Sequence, residues 1–81
     1  MEKDINKTRK IEFQKKIGLH IRNKRKKAGI TAAELARRCY MDKPNIHKLE
    51  TGKFNPSTFY LSKICKGLNI SLEELFKGFH W

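Results

Sequence analysis

An all-α domain of five helices is what this 81-residue sequence predicts. Three observations carry that expectation. Apolar residues recur three and four positions apart along the chain and nowhere alternate as a strand requires. Two Ser/Thr-x-x-Glu boxes, Thr31-Ala-Ala-Glu34 and Ser71-Leu-Glu-Glu74, mark helix starts. Gly29, Gly52 and Asn69 stand where helices should stop.

The first helix is expected from about Lys10 to Lys27, with Phe13, Ile17 and Ile21 spaced four apart on its buried face. Lys26 and Lys27 suit its negative C-terminal end. Thr31 opens a second helix over about Ala32–Arg38, burying Leu35 and Ala36. In its box the threonine hydroxyl accepts from the Glu34 amide and the Glu34 carboxylate reaches back. Cys39-Tyr40-Met41 makes a three-residue turn, and Asp42 is the N-cap of a third helix ending near Glu50. Pro44 falls in the first turn, where amides have no intrahelical partner, so it marks a beginning and breaks nothing. Residues 53–56, KFNP, form a loop. A fourth helix over about Ser57–Gly67 buries Leu61, Ile64, Cys65 and Leu68. The fifth buries Leu72, Leu75 and Phe76, and a short aromatic tail, Gly78-Phe-His-Trp81, closes the chain. The expected organisation is a basic, mobile arm at residues 1–9, one domain at 10–77 and the tail at 78–81.

The formal net charge of +11 favours polyanionic partners. Residues 1–27 hold eleven of the basic and three of the acidic side chains. Cys39 and Cys65 lie 26 positions apart, which fits neither a disulfide framework nor a paired metal motif. Both sit at apolar positions of helical patterns, where a thiol behaves as a small hydrophobe. His20, His47 and His80 make no ligand pair of zinc-site spacing, so no metal or cofactor is expected, and His20 reads as a surface residue. With no nucleophile–base set, phosphate loop or carboxylate pair, the chain does not read as an enzyme. No segment is long and apolar enough to span a bilayer, and the polar N-terminus lacks the apolar region of a secretory signal. A cytoplasmic, reducing setting is the expectation.

Two short helices joined by a three-residue turn form a helix-turn-helix, whose second helix can enter the DNA major groove. In MDKPNIHKLETG, Ile46 and Leu49 fasten the inner face, leaving Lys43, Pro44, Asn45, His47 and Lys48 outside. Lysine can donate to guanine, asparagine can pair with adenine or hold a phosphate, and histidine can donate to either. The proline ring can touch a thymine methyl.

The run from IGLHIRNKRKKAGITAAELARRCYMDKPNIHKLETGKFNPS through LSKICKGLNISLEELF, about residues 17–76, resembles the Cro/C1-type, or XRE-like, helix-turn-helix family. Matching features include Ile21, Arg25, Gly29-Ile30-Thr31, Glu34-Leu35-Ala36, Leu49-Glu50, Gly52, Asn55-Pro56-Ser57 and Leu75. The resemblance implies a lambda-repressor-like five-helix domain and a sequence-specific transcriptional regulator, a repressor, that binds double-stranded DNA and associates with the nucleoid. It places Lys43, Pro44, His47 and Lys48 at the bases. It places Asn45, Lys53, Asn55, Thr31 and the amides around Gly52–Asn55 at the phosphates. Arg25 and Glu50 match a pair tying the first helix to the end of the third. Three residues depart from the family pattern: Ala32 stands where glutamine meets a phosphate, Tyr40 where the turn has glycine, and Pro44 where a side chain hydrogen-bonds a base.

Other readings stand beside these. The cluster Arg22, Lys24, Arg25, Lys26, Lys27 sits where a helix C-terminus attracts cations regardless of function. Lys3, Lys7, Arg9 and Lys10 read equally as a loose DNA-backbone arm or as solvated charge. Phe76, Phe79 and Trp81 cover the domain's own core or make a weak homodimer, which a palindromic operator favours. The same aromatic tail could hold a toxin in an antitoxin-type module. A membrane-surface role for the first helix competes with that face's need to complete the bundle.

Overall fold

The computed structural model describes residues 2–81, with side chains from Ile5 onward. Five helices follow in order: α1 Glu2–Lys27, α2 Ala32–Arg38, α3 Lys43–Glu50, α4 Thr58–Leu68 and α5 Leu72–Phe76. The described residues contain no strand.

α1 begins eight residues before the expected Lys10, so residues 2–9 of the expected arm are helical. Every side chain from Ile5 to Glu12 is exposed, and packing does not hold this part. Helix propagation onto an existing packed helix costs little, whereas nucleation is expensive, and no glycine or proline interrupts residues 2–17. The side chain of Lys3, one of the arm's assigned cations, lies outside the described residues. The 26-residue α1 runs about 39 Å at 1.5 Å per residue. The molecule measures 41 × 25 × 20 Å, so α1 sets its long dimension.

The core gathers Ile17 and Ile21 of α1, Leu35, Ala36 and Cys39, Ile46 and Leu49, Leu61, Ile64, Cys65 and Leu68, and Leu75. Phe13 and Phe79 pack against its edge. Of the three α5 residues expected inside, Leu75 alone is buried, while Leu72 and Phe76 are 36% and 38% exposed. A five-residue helix has one inward position per turn, and Leu75 occupies it. The tail turns back on α1: the Phe79 ring stands edge-on to Phe13 at 5.8 Å, and Trp81 meets Phe13 at 5.4 Å.

The caps follow local chemistry. Ser71 and Glu74 form a complete capping box. Thr31 accepts from the Glu34 amide at 3.0 Å, yet the Glu34 carboxylate does not return the bond. It is bound by the guanidinium groups of Arg37 and Arg38, a charge-assisted pairing that outcompetes a neutral backbone amide. Arg37 first, then Arg38, holds the Glu34 carboxyl below its ordinary pKa. Asp42 occupies the N-cap position of α3 without a side-chain bond. Ser57 caps α4, which therefore runs one residue later than expected at each end, and Asn69 closes it in the left-handed region at φ 58°.

His20 is half-buried, not a free surface residue. Its Nε2–H donates to the Leu75 carbonyl at 2.5 Å, and its ring meets Phe79 at 5.2 Å. A single bond thus ties α1 to α5 and orients the tail.

Candidate nucleic-acid interface

α3 lies at the surface with its apolar side sealed. Ile46 and Leu49 are fully buried, while Lys43, Pro44, Asn45, His47 and Lys48 are all exposed. The turn that aims it is held by Met41 N–H donating to Ala36 carbonyl at 2.9 Å and by Tyr40 at φ 55°. Tyr40 thus adopts the conformation for which glycine is the easy residue, and its side chain is 95% exposed.

One face of α1 fixes where α3 ends. Gln14 Nε2 donates to the Gly52 carbonyl at 3.1 Å. Gly18 crosses against the last turn of α3: a Cβ there would stand 2.9 Å from the Glu50 carbonyl oxygen, inside van der Waals contact. Arg25 donates from Nε to Glu50 Oε2 at 2.7 Å and from Nη2 to Oε1 at 3.0 Å, while its Nη1 donates to Ile30 carbonyl at 2.9 Å. Both partners are largely buried, and the bond to Glu50 raises the Arg25 pKa further. Gln14, Gly18, Ile21 and Arg25 follow the spacing i, i+4, i+7, i+11, so a single stripe does the fastening. Gly52 is required for two reasons: its φ is +73°, and a Cβ would press 2.7 Å from Lys15 Cα. Gln14 and Gly18 were not singled out from the sequence. A glutamine at a core-facing position and a glycine in mid-helix were the available signals.

The residues assigned from sequence fall into distinct places. Lys43 and His47 share a cleft of about 160 Å³ with Arg22 of α1 and Ala32 of α2, floored by the Arg25–Glu50 pair. Lys48, Asn45 and Lys53 are exposed outside it. Asn55 lines a different cleft, beside Arg9, Lys10 and Trp81. Of the loop amides, Gly52 and Lys53 donate to Leu49 and Lys48 carbonyls, which leaves Phe54 and Asn55 as the loop's donors among the described residues. The exposed Thr31 uses its hydroxyl oxygen to cap α2. Cys39 and Cys65 are free, buried thiols whose pKa values are raised by desolvation. No helix among the described residues is long and apolar enough to cross a membrane.

A family model described as helix-turn-helix matches residues 21–75. An uncharacterized HTH-type transcriptional regulator of Archaeoglobus fulgidus is 41% identical over 56 residues, covering 69% of this chain and 80% of that protein. The ImmF control region 10 kDa protein of Bacillus phage phi105 is 34% identical over 61 residues, covering 75% of this chain and 68% of its own. Among solved structures, the wild-type restriction-modification controller protein C.Esp1396I superposes with a TM-score of 0.75 at 27% identity, covering 82% of this chain and 86% of that one.

Proposed function

The chain belongs to the helix-turn-helix family of DNA-binding transcriptional regulators, and we propose that it acts as a sequence-specific repressor by inserting α3 into the major groove. The observation that supports this most is the division of α3: two side chains wholly buried and five exposed, on a helix whose end is pinned to α1. In this reading Lys43, Pro44, His47 and Lys48 meet base edges, and Asn45, Lys53, Asn55 and Thr31 meet phosphates. The Arg25–Glu50 pair positions α3. The working site is the nucleoid of the cytoplasm, and no catalytic step is involved.

A two-fold operator requires two readers. The exposed Leu72 and Phe76 on α5, with Trp81 54% exposed, are the surface proposed for a weak homodimer that DNA reinforces. Binding selection from a random duplex library, repeated at two salt concentrations, tests the reading. A shared, approximately palindromic sequence is expected; an unstructured pool would overturn sequence-specific recognition.

A second reading is an antitoxin-type module that also binds its own operator. The half-exposed Trp81 favours it, while Phe79 is withdrawn onto α1. Pull-down from the native host decides between them, since that reading requires a stoichiometric protein partner.

A further inference from the structure

A cleft lies between α1, α2 and α3. Its one carboxylate, Glu50, has both oxygens taken by Arg25. Arg25 directs a third N–H, on Nη1, to the Ile30 carbonyl. The pair is electrically closed, and the cleft's remaining charge is that of Arg22 and Lys43. Neither of these makes a hydrogen bond or ion pair to any described residue. Ala32, on the α2 wall, offers a methyl group and no donor. The cleft's volume of about 160 Å³ admits a small oxyanion.

We propose that this cleft seats a single backbone phosphate of the bound duplex, held by the guanidinium of Arg22 on the α1 wall, while Lys43 and His47 on the α3 wall reach past it to the base edges. The inference rests on α3 entering the major groove, because a phosphate flanking that groove then faces α1. Arginine suits the position: its fork of donors matches two phosphate oxygens, which an ammonium cannot do. The α1 cations divide accordingly. Arg22 turns to α3, whereas Lys24, Lys26 and Lys27 line a separate cleft with His20 and Lys77.

The experiment compares wild-type, Arg22→Ala, Arg22→Lys and Lys26→Ala on the selected duplex. It also uses duplexes each carrying one neutral methylphosphonate. Arg22 is exposed and unbonded, so its variants keep the fold, checked by circular dichroism. Arg22→Ala is expected to weaken binding about tenfold or more and to reduce the salt slope by about one. Arg22→Lys should fall between, and Lys26→Ala should cost less than about threefold. At one methylphosphonate position the Arg22→Ala penalty should vanish. Equal losses for Arg22→Ala and Lys26→Ala, or a penalty that persists on every modified duplex, would overturn the phosphate seat. Failure of the wild-type protein to bind any duplex would instead overturn the major-groove reading.

Discussion

Tyr40 holds a left-handed backbone, φ 55°, while burying almost nothing of its ring. A Cβ in that region costs about 1–2 kcal/mol, and no packing is lost by removing this side chain. Glycine relieves the clash but adds freedom to the unfolded chain, worth about 0.4–1 kcal/mol in the other direction. The difference favours the native state, so Tyr40→Gly is expected to stabilise by up to about 1 kcal/mol, read as a higher urea midpoint at unchanged slope. On α3 and in the loop after it, two kinds of lysine should separate. Lys48→Ala should reduce discrimination at particular base pairs, by about 1–3 kcal/mol at most. Lys53→Ala should weaken all duplexes alike and lower the salt slope by about one. Titration of single-base operator variants at two salt concentrations distinguishes them.

At the scale of elements, the critical junction is the crossing of α1 over the end of α3. Helix propensity alone makes Gly18→Ala favourable by about 1 kcal/mol. Contact decides otherwise, because the new methyl would press on the carbonyls of Leu49 and Glu50, which are backbone and cannot rotate away. Overpacking of this kind costs about 1–3 kcal/mol. Gly18→Ala should therefore lower stability despite its better propensity, and DNA affinity should fall because α3 is displaced. A urea titration that shows Gly18→Ala more stable than wild type would mean that the helices can part without penalty. The α2–α3 turn and the capping boxes are legible in the sequence, since each depends on a few adjacent residues. The Thr31 box stays half-formed because Arg37 and Arg38, three and four positions on, take the Glu34 carboxylate.

Over the whole molecule, the buried thiols titrate at the alkaline end. Desolvation raises the pKa of Cys39 and of Cys65, so the folded chain keeps protons that the unfolded chain loses. Their contribution to stability is therefore complete below the ordinary thiol pKa of about 8.5 and is lost as pH climbs through it toward the raised folded values. The stability difference between wild type and Cys39→Ala/Cys65→Ala should be flat from neutral pH to that point and then shrink. Denaturant melts across the alkaline range measure it; a difference that grows with pH would contradict the assigned sign.

Periodicity, caps and stop residues determined the five helices, the turn at Cys39–Met41 and which side of α3 is apolar, because these depend on neighbours within four positions. Residue chemistry likewise marked Lys43, His47 and Lys48 as outward donors. Tertiary structure alone decided that His20 serves α5, that Leu72 and Phe76 stay outside, and that Gln14 and Gly18 pin α3. It also brought Arg22 to Lys43 across 21 positions of chain. Such juxtapositions are set by how helices cross, and crossing geometry follows from the packing of whole faces, which no short window of sequence contains.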